Sequence, residues 1–159
     1  MRILIAYAGK TGTTEKCAKR LCEKLTNATT VDLNIQTPDI DQFDTVIVGG
    51  AIRMGQLHKK AKKFIEQNAV GLQTKKAAYF LCCGSEENSA ELFSKNFPKD
   101  LLDRAVSYEC FGGEMNVENM HGFDKFIAKM ATKASADKKL APPKINDENI
   151  TKLIEKILN

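Results

Sequence analysis

Residues 2–7 form a continuous β-branched and aliphatic run that passes, without a polar linker, into Ala8-Gly9-Lys10-Thr11-Gly12-Thr13-Thr14-Glu15 and then into a helix-patterned segment. An apolar run without alternation suits a strand buried on both faces, and such a strand needs a parallel sheet covered by helices. The rest of the chain repeats this arrangement. Helical spacing over 13–25 places Cys17, Ala18, Leu21, Cys22 and Leu25 on one face. Strands are predicted at 30–33, 44–49, 77–82 and 105–111, the last closed by Gly112-Gly113. Helices are predicted at 57–68, with Ala61, Phe64 and Ile65 inward, at 88–97, ended by Pro98, and at 123–131 and 149–158. No helix is evident between residues 34 and 43, where Pro38 interrupts the chain. Strands alternating with helices imply right-handed crossovers and an α/β doubly wound sheet of five parallel strands.

Composition narrows the reading further. The 159 residues suit one domain spanning 1–159. With 43% hydrophobic and 28% charged residues the chain can bury a core, which excludes disorder. No apolar run approaches the roughly 18 residues of a membrane-spanning helix. The first residues lack the h-region and cleavage site of a secretory signal, so the expected location is the cytosol. The net charge of +4 comes from twenty lysines and four arginines. A nucleic-acid reader would cluster arginines with aromatics, so nucleic acid is not an expected partner. The lysines at 59, 60, 62 and 63 suit a solvated helix face. Five cysteines, an odd number, speak against a disulfide framework, and their spacings match no metal site.

In a doubly wound sheet, ligands bind outside the carboxyl ends of the strands, at the point where the winding reverses. Three loops therefore carry the functional reading. After the first strand, glycines allow close approach, hydroxyls donate, and a helix N-terminus offers free amides and a positive dipole end. The Walker loop needs a glycine where Leu4 stands, and the dinucleotide fingerprint needs one where Thr11 stands. What remains is Thr11-Gly12-Thr13-Thr14, a T-G-x-T loop suited to a terminal monophosphate without a metal. The competing reading is that Thr13 merely caps the helix.

This run resembles the FMN-phosphate loop of flavodoxins, typically S/T-x-T-G-x-T, with Gly9 where a hydroxyl residue is usual and Lys10 able to compensate by charge. After the third strand, Gly49-Gly50-Ala51-Ile52-Arg53-Met54-Gly55-Gln56-Leu57-His58 is similar to the stretch along the flavin ring in menaquinone-dependent protoporphyrinogen oxidases, a flavodoxin branch. Gly112-Gly113-Glu114 and residues 122–127 resemble that branch again. The resemblance implies a flavodoxin-like three-layer sandwich of strand order 2-1-3-4-5 and one non-covalent FMN. It further implies that Gly9, Lys10, Thr11, Gly12, Thr13 and Thr14 hold the phosphate, that Ala51, Ile52, Arg53, Met54 and Gly55 flank the ring on one side, and that Cys83, Gly84 and Ser85 flank it on the other. Arg53 would stand near the charge that develops on reduction, or else pair with a surface carboxylate. Gly55 would supply a peptide that turns toward the flavin N5, or a simple turn. His58 is expected to face solvent at a helix start, and Cys83 either lines the ring or packs as a small hydrophobe.

The implied function is flavin-based electron transfer between a reductase and an acceptor protein. The alternatives are a quinone-linked protoporphyrinogen oxidase, with a quinone and a porphyrin as partners, and a non-redox module binding another phosphate or a protein. The oxidase branch carries a longer insertion after the fourth strand, whereas residues 84–90 here are short and acidic. That favours the carrier.

Overall fold

In the computed structural model, which describes residues 1–114 and 144–159, the alternation becomes a single sheet. The strands are β1 (Ile3–Ala8), β2 (Ala28–Asp32), β3 (Thr45–Arg53), β4 (Gln56–Leu57), β5 (Lys76–Cys82) and β6 (Ser107–Cys110). The helices are α1 (Thr13–Lys24), α2 (Lys59–Gln67), α3 (Ala69–Thr74), α4 (Ser89–Asn96), α5 (Lys99–Arg104) and α6 (Asp147–Leu158). The five main strands are all parallel and lie in the order β2-β1-β3-β5-β6. This is the expected 2-1-3-4-5 order once the two-residue β4, which pairs antiparallel with β3, is set aside as a sixth strand.

Period-two alternation sends the side chains of each strand to two cores. Ile3, Ile5, Tyr7, Ile47, Ala78 and Phe80 meet Cys17, Ala18 and Leu21 of α1 and Ile150, Leu153, Ile154 and Ile157 of α6. Leu4, Ala6, Val46, Val48, Tyr79 and Leu81 meet Ala61, Phe64 and Ile65 of α2, Leu72 of α3, Phe93 of α4 and Leu101 of α5. Both faces are covered, which explains why the central strands read as unbroken apolar runs.

The elements depart from expectation in four places, each with a local cause. β3 does not stop at residue 49 but continues through Gly50 to Arg53. Gly49 looks like punctuation in sequence, yet the Phe80 ring occupies the space its Cβ would take, so this glycine serves packing rather than a turn. The helix predicted to Asn68 divides there: Asn68 closes α2 and opens α3, with its backbone N–H and its Nδ2 both donating to the Phe64 carbonyl (3.1 and 2.8 Å). Pro98 ends α4 as expected but also begins α5, accepting from the Leu101 amide at 3.1 Å. Residues 34–43 hold a single 3₁₀ turn at Ile40–Gln42, capped by Asp39. The helix predicted at 123–131 lies outside the described residues.

Candidate functional site

Parallel register places the three loops of interest along one edge. Ala8 pairs with Gly50 and Gly50 with Leu81, so the chain leaves β1, β3 and β5 side by side at their carboxyl ends. β1 lies between β2 and β3, and the winding reverses there.

The loop after β1 has the features of an anion cradle. Gly12 takes a left-handed conformation (φ 94°) immediately before α1 and supplies no side-chain cap to the first helix amides, which have no intrahelical acceptor. Thr13 is the first helical residue rather than the cap, and its hydroxyl makes only a long bond, 3.4 Å, to the Glu114 carbonyl. Thr14 is 1% exposed, and its Oγ1 has no hydrogen-bond partner among the described residues. The Cys82 thiol lies close enough to feel that hydroxyl, but no bond of ordinary geometry joins them. A Cβ at Gly9 would come within 2.7 Å of Thr14 Oγ1 and 2.8 Å of its Cβ, which accounts for glycine where a hydroxyl residue was the expectation. Asn34, beyond β2, fixes the loop by donating from Nδ2 to the Gly9 carbonyl at 3.0 Å. Lys10 and Gly12 are exposed and Thr11 is half-buried. Amides, hydroxyls and a dipole end gathered around a glycine-lined hollow fit a small anion of monophosphate size.

The stretch after β3 is a closed hairpin. Ile52 pairs with Leu57 and Arg53 with Gln56, leaving Met54 and Gly55 as a two-residue turn with φ of 52° and 74°. Two positive φ values are those of a type I′ turn, whose twist matches the strands it joins. Met54 at the tip is 83% exposed. Asn96 of α4 braces the hairpin from beneath: its Oδ1 accepts from the Leu57 amide (2.9 Å), while its Nδ2 donates to the Gly55 carbonyl (3.0 Å) and to Leu92 (2.9 Å). A Gly55 carbonyl held this way favours the simple-turn reading over a freely turning peptide. Ala51 and Ile52 are half-buried and Arg53 is exposed.

His58 does not merely face solvent. It is half-buried at the start of α2, and its Nδ1 accepts from the Lys60 amide at 3.2 Å. Burial, then the Lys59 charge, hold its pKa below the ordinary histidine value, keeping the ring neutral and able to accept.

The loop after β5 is short, as the sequence suggested: α4 begins at Ser89. Cys83 is buried, its Sγ donating to the Ser85 carbonyl (3.0 Å) and lying 2.9 Å from Cys110 Sγ. Gly84 and Ser85 are exposed. Asn146, at the start of α6, donates to both carboxylate oxygens of Glu86 (3.2 and 3.0 Å). Glu114 approaches the α1 terminus, where Lys16 Nζ meets both of its oxygens at 3.1 Å. Sequence reasoning passed over Asn34 and Asn96, and noted Glu114 only as part of a family resemblance. Asn34 left one faint signal, an Asx turn with its amide on Asp32. Asn96 left none, because an asparagine ending a helix is ordinary until a neighbouring backbone is known to need it.

Comparison with known proteins agrees with this geometry. The flavodoxin domain model matches residues 4–141. Protoporphyrinogen IX dehydrogenase [quinone] of Escherichia coli (strain K12) is 22% identical over 146 residues, covering 85% of this chain and 81% of its own. Two solved structures share the fold. One is a flavoprotein from Lactobacillus acidophilus NCFM in complex with FMN (TM-score 0.53, 12% identity, 69% of this chain and 92% of that one). The other is oxidised flavodoxin 1 from Bacillus cereus (TM-score 0.50, 17% identity, 89% and 100%). With the parallel sheet in its 2-1-3-4-5 order, the anion cradle after β1 and a family match over most of its length, the chain belongs to the flavodoxin domain family.

Proposed function

We propose that this chain binds one FMN at the carboxyl ends of β1, β3 and β5 and serves in the cytosol, as a single domain of residues 1–159, as an electron-transfer protein between a reductase and an acceptor. The observation that carries the reading is Thr14 Oγ1, a buried hydroxyl without a hydrogen bond among the described residues, in the first turn of a helix whose Gly12 gives it no side-chain cap. A buried polar group left unpaired costs about 1–3 kcal/mol. The Thr45 and Tyr79 hydroxyls are also buried and unpaired among the described residues. What sets Thr14 apart is its place in the first turn of α1, behind a glycine-rich loop at the carboxyl end of β1. A flavin phosphate would accept from Thr11, Thr13 and Thr14 and from the first amides of α1, with Gly9 and Gly12 allowing approach and Lys10 adding positive charge. FMN, when bound, supplies the isoalloxazine ring that takes up and releases electrons.

The chain's own contribution is to hold and shield that ring. Ala51, Ile52, Arg53, Met54 and Gly55 would stand on one side and Cys83, Gly84 and Ser85 on the other. The Arg53 cation would favour negative charge gained on reduction more than it affects the neutral oxidised ring. Arg53→Ala should therefore lower the midpoint potential while leaving oxidised-FMN affinity little changed, and an unaltered midpoint would reduce Arg53 to a surface residue. The deciding measurement for the whole reading is absorbance and mass of whatever cofactor heat releases from the purified protein. FMN that accepts electrons from a flavodoxin reductase supports the carrier. A colourless protein that takes up no FMN on titration would refute it.

Similarity to protoporphyrinogen IX dehydrogenase [quinone] over 85% of the chain supports a second reading, a quinone-linked oxidase acting on a porphyrinogen. The carrier ranks first because the loop after β5 is exposed, short and acidic, with Glu86 and Glu87 poorly suited to a tetrapyrrole bearing propionates. FMN- and quinone-dependent porphyrin formation that saturates with substrate would reverse the order.

A further inference from the structure

We propose that Cys83 and Cys110 form a two-electron dithiol–disulfide couple, a redox site carried by the chain itself and oxidised by hydrogen peroxide. Their sulfurs lie 2.9 Å apart, inside ordinary sulfur contact and within an ångström of the ~2.05 Å of a covalent bond. Both positions are fixed by backbone pairing. The Cys83 amide donates to the Gly112 carbonyl (2.9 Å) and the Phe111 amide to the Leu81 carbonyl (2.8 Å), so the ends of β5 and β6 cannot separate the two thiols without breaking sheet bonds. The other close pair, Cys17 and Cys82, is farther apart at 3.7 Å and belongs to the core beneath α1.

Access and reactivity also favour the pair at the strand ends. Both thiols are buried, but Cys83 adjoins the exposed residues 84–88, a Cβ at Gly84 would meet nothing within 4 Å, and Cys110 lies in contact behind Cys83, so a small oxidant reaches the pair from that side. Cys110 is the nucleophile: contact with the Cys83 thiol, then the Gly112 amide, outweigh burial and the Glu86 charge and hold its pKa below the ordinary thiol value. Contact with Cys110 and burial push Cys83 the other way, so it keeps its proton, held on the Ser85 carbonyl, as the resolving thiol.

The steps balance. Cys110, its proton released to water, attacks one peroxide oxygen; the O–O bond breaks, hydroxide leaves, and Cys110 becomes a sulfenic acid. The Cys83 sulfur then attacks the Cys110 sulfur; the S–S bond forms, the S–O bond breaks, and the departing hydroxide takes the Cys83 proton as water. Two thiols and one peroxide yield one disulfide and two waters, and an external dithiol reverses the change by exchange. Oxidation also removes the S–H that Cys83 gives to Ser85, so the turn at 84–85 loses that bond. None of this depends on FMN.

The test treats the full chain with stoichiometric hydrogen peroxide, alkylates it in denaturant and maps tryptic peptides by mass. The expected result is a chain lighter by two hydrogens, with three of its five thiols still alkylated and peptides 77–95 and 105–125 joined. Dithiothreitol should restore all five. Cys83→Ser should abolish the cross-link, whereas Cys17→Ser should leave it intact. The proposal is overturned if all five thiols remain alkylatable after peroxide, or if peptide 77–95 is joined instead to Cys17.

Discussion

The hairpin after β3 and the loop after β1 stand next to each other at the edge of the sheet, and they are finished to different degrees. In the hairpin the turn geometry is of the type that joins strands tightly, and Asn96 supplies partners to the Leu57 amide and the Gly55 carbonyl. In the phosphate-type loop, among the described residues, a buried hydroxyl has no bond and the left-handed Gly12 gives the helix terminus no side-chain cap. A supporting wall completes its hydrogen bonds from within the chain, whereas a binding surface leaves them for something else to complete. Stability and ligand affinity should therefore respond to different residues.

The largest effect is expected from breaking the wall. Asn96→Ala removes three bonds and leaves the buried Leu57 amide unpaired, so urea denaturation should show a loss of about 3 kcal/mol. A loss below the scatter of surface substitutions would mean that the brace is incidental. Thr14→Val sharpens the contrast. It keeps the shape and removes the unbonded hydroxyl, so the cofactor-free protein should be as stable as the parent or slightly more so. FMN binding, followed by fluorescence titration, should weaken by about 1–3 kcal/mol. Parallel losses in both measurements would remove the distinction between the two regions.

Two smaller changes probe the hairpin itself. Met54 adopts φ 52°, a region costing an ordinary side chain about 1 kcal/mol, and Asn-Gly is the preferred pair for such a turn. Met54→Asn should raise stability by about that amount in the same denaturation assay. At the hairpin's base the His58 amide donates to the Ala51 carbonyl, and its Nδ1 caps α2 only while unprotonated. Its folded pKa lies below the unfolded value of about 6.5, so the unfolded chain binds the proton first as pH falls. Stability is then full above about pH 6.5 and declines below it as pH passes toward the folded value. His58→Asn should remove this slope, because asparagine caps without titrating.

Much of the fold was legible because its signals are local. The doubly covered strands read as unbroken apolar runs, Pro98 stopped a helix, and Thr11-Gly12-Thr13-Thr14 marked a candidate anion loop through the freedom of glycine and the donors of threonine. The misreadings came where one residue serves a distant neighbour. Gly49-Gly50 looked like the end of a strand, but Gly49 makes room for Phe80, and β3 runs on to Arg53. Asn68 and Pro98 were read as ends although each also begins a helix.

By itself the sequence determined the layered α/β architecture, since periodicity follows from backbone sterics alone. Its family resemblance implied the strand order, and glycine and threonine placement marked the loop after β1 as the candidate anion site. Tertiary structure alone decided that Asn96 braces the hairpin, that Asn34 fixes Gly9, and that Cys83 meets Cys110 across 27 positions of chain. Each of these depends on two segments brought together by sheet pairing. A hydrogen bond or sulfur contact leaves no mark in either segment until the register between them is set.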